Sequence, residues 1–159
     1  IAGFILDYWK RRLRLIMQRH AIEKDTFTME EFRKRIQYSL NFMDYVPILF
    51  ISAQTGQRLS TVLPEALRIQ GERLVKLRTS VLNRILLRAQ DRHSPASKTG
   101  RILRIYYGTQ VRSDPPTFML FVNDPKLAHF TYLRYIENQL RIEYPFTGTP
   151  IRLVLKGRR

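Results

Sequence analysis

The chain has 159 residues, of which 44% are apolar, enough for one ordinary domain or two small ones. This apolar fraction excludes global disorder, and the lack of cysteine excludes a disulfide scaffold, a Cys-ligated zinc site and a thiol nucleophile. The sequence contains no run of about 18 apolar residues, so we expect no membrane-spanning helix and no membrane partner.

The charge is large and unevenly distributed. The net charge is +15, and residues 76–159 hold 16 basic and 5 acidic residues against 12 and 8 in residues 1–75. A self-repelling surface of this kind is typical of proteins with polyanionic partners. The uneven charge predicts two domains, 1–75 and 76–159. The first residue is not Met, which suggests a processed chain or a fragment.

The first half alternates between helical and strand-like patterns. Apolar spacing predicts a helix over 1–11, and Thr28 with a glutamate three residues later predicts the capped start of a second helix. The run Tyr45–Ile51 is apolar and predicts a buried parallel strand. A polar turn follows, and then a helix from about 59 to 71. With a short strand-like run at 13–17 between the first two helices, the order helix, strand, helix, strand, helix indicates an α/β segment.

The second half gives a different order of elements. A helix is predicted from Thr79 or Ser80 to about residue 93, and strands over 101–112 and 117–123 form a hairpin around a proline-containing turn. A short helix, a longer helix and a final strand at 151–156 follow. The predicted order is therefore α-β-β-α-α-β, an α+β domain.

Three strings of this half carry a family resemblance. They are Pro-Pro-Thr-Phe-Met-Leu-Phe-Val-Asn-Asp-Pro at 115–125, Tyr-Leu-Arg-Tyr-Ile-Glu-Asn-Gln-Leu-Arg at 132–141 and Gly-Thr-Pro-Ile-Arg at 148–152. Together they resemble the C-terminal KH-like domain of the Der (EngA) family, bacterial ribosome-assembly GTPases with two tandem GTPase domains. The resemblance implies a KH-like fold of the prokaryotic type for residues 76–159.

The first half resembles part of the second GTPase domain of the same family. The strings at 1–7, 21–25 and 50–57 carry this resemblance, which implies a partial P-loop-GTPase-like α/β segment for residues 1–75. The guanine-specificity motif Asn-Lys-x-Asp would fall at 17–20, where the sequence reads Met-Gln-Arg-His. The phosphate-binding motif Gly-x-x-x-x-Gly-Lys-Ser/Thr is also missing from the sequence. We therefore expect no GTP hydrolysis by this chain and no cofactor of its own, whereas the parent family uses GTP and Mg²⁺.

Ser52 and Ala53 resemble the loop whose backbone amide helps to hold a guanine base in the family. Without the Asn-Lys-x-Asp partner, the pair is a vestigial nucleotide-binding candidate. The alternative is an ordinary turn between a strand and a helix, and we favour it.

The basic residues of the second half are the stronger functional signal. Cationic side chains on exposed edges attract phosphates, and the alternative is a solvated face that only keeps the domain soluble. KH domains that read sequence clamp the nucleic-acid backbone with Gly-x-x-Gly, but Ala-His-Phe-Thr stands at 128–131. We therefore expect recognition of folded RNA and its phosphates. The predicted RNA-binding residues are Arg101, Arg104, Arg112, Arg134, Arg141, Lys156, Arg158 and Arg159.

Four aromatic residues of the hairpin, Tyr106, Tyr107, Phe118 and Phe121, allow a second interpretation. They could form a platform on which bases stack, or they could belong to the core, which we favour. Tyr106 and Tyr107 must face opposite sides of a regular strand, so the core can hold only one of them.

The function favoured by the sequence is a non-catalytic, RNA-binding and ribosome-binding portion of a Der-like GTPase in large ribosomal subunit assembly. Its expected partners are ribosomal RNA and the upstream GTPase domain of the same protein, in the bacterial cytoplasm or in an organelle. The alternatives are an excised fragment that binds GTP only with its missing N-terminal part, and a GTPase-derived structural ribosomal protein. Because half of a GTPase sheet leaves an open edge, we expect residues 1–75 to need a cover.

Overall fold

The computed structural model describes residues 26–40, 43–52, 54–93 and 101–157. The chain divides into two compact units. The first comprises residues 1–44 and 48–65, and the second comprises residues 45–47 and 66–159. The predicted helix over 1–11 lies outside the described residues.

Within the first unit, helix α1 spans Thr26–Ser39 and starts two residues before the predicted cap. The predicted strand over Tyr45–Ile51 is wrong, because these residues form no strand, and Leu49 and Ile51 are about 40% exposed. A parallel strand needs neighbours for its backbone hydrogen bonds, and among the described residues of this unit no other strand offers them. A 3₁₀ turn, Leu59–Thr61, leads into helix α2, Val62–Arg73, which continues into the second unit.

The second unit contains a three-stranded sheet with helices on one face. Its elements are helix α3 (Thr79–Arg92), strand β1 (Ile105–Ser113), strand β2 (Pro116–Val122), a 3₁₀ turn (Pro125–Leu127), helix α4 (Phe130–Glu143) and strand β3 (Arg152–Gly157). The predicted hairpin is confirmed, since β1 and β2 pair antiparallel. Strand β3 pairs parallel with β2, so β2 lies in the centre of the sheet.

Alternation along β2 divides the sheet into a core face and an outer face. Phe118, Leu120 and Val122 are completely buried, whereas the odd-numbered residues between them are half-buried. The buried side chains pack with those of α3 and α4 into one core. Phe146 is fully buried, and its ring makes an edge-to-face contact with the Phe118 ring. Of the four aromatic residues of the hairpin, Phe118 therefore lies in the core as favoured, whereas Tyr106 and Tyr107 are both about half exposed and Phe121 is half-buried.

Two amide side chains of α3 bind the backbone of β1. Asn83 donates to the Gly108 carbonyl at 3.1 Å and accepts from the Gly108 N–H at 2.8 Å. Two helical turns later, Gln90 makes the same pair of bonds with Ile105, at 3.0 and 2.8 Å. Strand β1 is an edge strand, and these amides replace the neighbouring strand that it lacks.

Gly108 also allows the helix to approach the strand closely. A Cβ at this position would lie 2.8 Å from Leu86 and 2.9 Å from Leu120, both of which are buried. A side chain larger than hydrogen therefore has no room here, because core packing is dense.

We expect Asn83→Leu to lower the free energy of unfolding by about 1–3 kcal/mol, because the buried Gly108 N–H and carbonyl lose their partners. Urea unfolding followed by circular dichroism measures this loss. Asn138→Leu, on the exposed face of α4, is the matched control and should change stability by less than about 0.5 kcal/mol. Equal losses in the two variants would refute the role assigned to Asn83.

Candidate nucleic-acid interface

The strand register brings predicted cations from separate parts of the sequence to one end of the sheet. Val122, the last residue of β2, pairs with Ile105 at the start of β1 and with Gly157 at the end of β3. Arg101 and Arg104 directly precede β1 and are exposed, and Lys156 is exposed in β3.

The Asn123 side chain fixes the backbone that presents Arg101 and Arg104. It donates to the Ile102 carbonyl at 2.9 Å and accepts from the Arg104 N–H at 2.9 Å. The Asn123 N–H also donates to the Arg104 carbonyl at 3.1 Å. The chain segment is thereby held in place while the Arg104 side chain remains exposed.

Lys126 lies at the same end of the sheet, although sequence reasoning missed it. It is exposed in the 3₁₀ turn that Asp124 caps by accepting from the Lys126 N–H at 3.0 Å. Pro125 of this turn approaches the end of β3, since a Cβ on Gly157 would lie 3.3 Å from it. The Asp-Pro start of the turn was the signal available in the sequence. We call Arg101, Arg104, Lys126 and Lys156 the basic end of the sheet.

The other predicted cations lie elsewhere. Arg112 is exposed at the opposite end of the sheet, where Thr117 pairs with it on one side and with Arg152 on the other. Arg134 is exposed on α4. Arg158 and Arg159 lie outside the described residues.

The guanidinium of Arg141 is engaged within the fold. It bonds Glu137 at 2.8 Å and donates to the carbonyls of Pro145, Phe146 and Thr149 at 3.0–3.3 Å. The guanidinium carbon of Arg141 also lies over the Tyr45 ring, 3.9 Å from the ring centroid. Its side chain is only 12% exposed. The structure therefore gives Arg141 an internal role, to hold the turn that leads into β3.

We expect Arg141→Lys to lower the free energy of unfolding by about 2 kcal/mol, because a lysine keeps the charge but cannot form the planar fork of hydrogen bonds. Arg134→Lys on the exposed face of the same helix is the control and should have little effect. Thermal unfolding of both variants measures this difference in stability. If Arg141→Lys were as stable as the control, the turn would be held by other contacts.

Ser52 of the vestigial nucleotide-binding candidate lies in a tight turn. Ser52 is buried, its N–H donates to the Gln57 carbonyl at 3.0 Å, and its hydroxyl accepts from the Thr55 N–H at 3.3 Å. Ala53 and the segment 17–20 lie outside the described residues. Both Ser52 groups are thus used within a tight turn, and nucleotide binding by the Ser52–Ala53 pair stays a prediction.

The position of the missing glycine clamp is the junction between the 3₁₀ turn and α4. His129 caps α4 by accepting from the Thr131 N–H at 3.3 Å, and Phe130 is 71% exposed. Tyr132 is buried, and its hydroxyl has no hydrogen-bond partner among the described residues. Burial, together with the neighbouring Tyr135, raises the pKa of Tyr132 from 10.0 to about 12.

This raised pKa predicts a pH dependence of stability. Between pH 10.0 and about 12 the unfolded chain loses the Tyr132 proton and the folded chain keeps it, so the free energy of unfolding falls as pH rises. We expect a loss on the order of 2–3 kcal/mol over this range.

Tyr132→Phe should remove that part of the alkaline loss and leave stability at neutral pH unchanged or slightly higher, because an unpartnered hydroxyl is deleted. Urea unfolding of both proteins at intervals from pH 9 to about 12 measures the difference. Parallel curves for the two proteins would contradict the assignment.

The described residues offer neither a metal site nor a membrane-spanning helix. No group of three or more His, Asp or Glu side chains is arranged to hold a metal ion within the described ranges. Within those same ranges, no helix has the length and apolar character needed to cross a membrane.

A three-stranded mixed sheet covered on one face by two helices is the arrangement expected of a KH-like domain. The profile of the family described as the KH-domain-like C-terminal domain of EngA bacterial GTPase enzymes matches residues 76–156. This match covers more than half of the chain, and the chain belongs to that family.

The similarity to curated relatives extends beyond the KH-like domain into residues 1–75. The chain is 40% identical over 159 residues to the GTPase Der of Leuconostoc citreum and to that of Geobacillus kaustophilus. It is 43% identical over 156 residues to the GTPase Der of Alkaliphilus metalliredigens. These alignments cover 98–100% of the chain and 36% of each relative. The chain therefore spans about a third of the length of these relatives and corresponds to their C-terminal part.

Proposed function

We propose that this chain is the RNA-binding C-terminal portion of a Der-type GTPase that acts in assembly of the large ribosomal subunit. The observation that carries the proposal is the basic end of the sheet on a KH-like domain of this family. Its cations come from three separate segments, at 101–104, 126 and 156, and the strand register brings them together.

The proposed mechanism is neutralisation of RNA phosphates. Exposed arginine and lysine side chains displace the counterions of a polyanion, so affinity falls as salt rises. Because no glycine stands at 128–131, a strand of RNA cannot approach that backbone as closely as in a clamping KH domain. We therefore propose binding to folded ribosomal RNA through its shape and phosphates.

The proposed role of the first unit is to complete a GTPase domain. The alignment with Der proteins extends through residues 1–75, which supports descent of this segment from the second GTPase domain. Large apolar side chains of the first unit are exposed, among them Leu49, Ile51 and Leu63. Exposed large apolar side chains of this kind indicate a missing partner, and we propose that the preceding part of the GTPase domain covers them.

The chemistry of the parent protein is proposed to lie outside this chain. GTP and Mg²⁺ would be held by preceding GTPase residues, and this chain would contribute no catalytic group. We propose the bacterial cytoplasm as its location, because the matched relatives come from bacteria.

The test is RNA binding with charge reversals. We expect the double variant Arg101→Glu/Arg104→Glu to weaken binding of ribosomal RNA fragments at least about tenfold and to flatten the dependence of log Kd on log salt. The matched control, Arg33→Glu/Arg35→Glu on α1, changes the net charge equally but lies in the other unit. Fluorescence anisotropy at several salt concentrations measures both effects. Equal weakening by the two double variants would mean that net charge alone governs binding.

A further inference from the structure

The outer face of the sheet carries a row of three interacting side chains, one from each strand. Tyr107 of β1 pairs with Phe121 of β2, which pairs with Lys156 of β3. The Tyr107 and Phe121 rings are stacked, with centroids 4.3 Å apart and planes 13° apart. The Lys156 ammonium lies over the Phe121 ring at 5.7 Å. Because β2 is the central strand, Tyr107 and Lys156 approach Phe121 from opposite sides.

This row ends in an aromatic ring at the edge of the sheet. Tyr107 is 45% exposed, and its partner Phe121 lies on one side only, towards the sheet centre. The opposite side of the Tyr107 ring faces away from the other strands. A flat aromatic ring with one covered face and exposed area is a suitable surface for stacking of a nucleobase.

The charge of the outer face favours a polyanion as its occupant. The three strands contain no aspartate or glutamate. Lys156 lies at one end of the face, and Arg112 and Arg152 flank Thr117 at the other. A cation–π contact leaves the ammonium N–H groups of Lys156 available for phosphate oxygens. A protein partner with an acidic face would meet the same cations but would not need the aromatic row.

We infer that the outer face of the sheet binds single-stranded RNA, with a base stacked on Tyr107 and phosphates on Lys156, Arg112 and Arg152. This inference rests on the proposed RNA-binding function and adds to it a second surface. The basic end of the sheet binds phosphates of folded RNA, whereas the outer face takes unpaired nucleotides. Lys156 belongs to both surfaces, so a single strand leaving a folded element could continue from one to the other.

The experiment measures binding of fluorescein-labelled oligouridine and of an RNA duplex to the 159-residue chain by fluorescence anisotropy. We expect Tyr107→Leu to weaken oligouridine binding at least about fivefold at every salt concentration, without changing the salt dependence. Tyr107→Phe should retain wild-type affinity because it keeps the ring. Tyr106→Leu is the matched control, since Tyr106 is 47% exposed but lies outside the row. It should remain within about twofold of wild type.

Two further measurements separate stacking from charge and from misfolding. Lys156→Gln should reduce the slope of log Kd against log salt for oligouridine by about 0.7, the value for one phosphate contact with a single strand. Thermal unfolding of each variant identifies any loss of folding. If Tyr107→Leu is unstable, Tyr107→Trp tests the inference instead, because a larger ring at this exposed position should tighten oligouridine binding, and unchanged affinity would contradict stacking.

Several outcomes would overturn the inference. Equal affinity of wild type and Tyr107→Leu for oligouridine, or equal losses for oligouridine and duplex, would show that no base stacks on Tyr107. If the Arg101/Arg104 reversal still weakened binding in those cases, the proposed function would stand and the outer face would be assigned to a protein contact. If wild type bound neither probe, both the proposed function and the inference would fall.

Discussion

The pairing of two side-chain amides with an edge strand is the constraint on which the second unit depends. Asn83 and Gln90 lie on one face of α3 and give β1 the hydrogen bonds that a further strand would give. This pairing closes one edge of the sheet and sets the helix close enough that only glycine fits at 108. The helices therefore occupy the core face, and the sheet itself can present functional groups only on its outer face and at its ends.

Arginine residues in this domain divide into two kinds that the sequence does not distinguish. Arg134 and Arg141 lie seven residues apart on the same helix, yet one is exposed and the other is held by three carbonyls, a carboxylate and an aromatic ring. The carbonyls belong to a turn that folds back on the helix. A count of basic residues therefore overestimates an RNA-binding surface, because some arginines instead donate hydrogen bonds to the carbonyls of irregular backbone.

Most elements of residues 76–157 follow from local pattern. The helices over 79–92 and 130–143, the hairpin and the final strand combine apolar periodicity with proline and glycine signals, and the same core satisfies all of them. The run 45–51 has an equally strong strand pattern but forms no strand, because a parallel strand depends on neighbours that its own sequence cannot supply.

The site was predictable by residue type and not by arrangement. Arg101, Arg104 and Lys156 were identified from charge, but their convergence depends on the parallel pairing of β2 and β3. The same limit applies to the four aromatic residues of the hairpin, whose division between the core face and the outer face depends on tertiary packing. A strand pattern shows that neighbours alternate, whereas only the helices determine that Phe118 faces the core and Phe121 faces outward with Tyr107.

The turn between α4 and β3 has a consequence for the limits of the folding module. The Gly148 N–H donates to the Tyr45 carbonyl at 2.7 Å, and a Cβ on Gly148 would lie 2.8 Å from Ile69. The Val75 carbonyl accepts from Gln110 at 2.9 Å. These three contacts come from residues that precede the matched family segment. A polypeptide cut at residue 76 would lose these contacts to the turn and to β1, because the compact unit that holds the domain begins before the segment by which its family is defined.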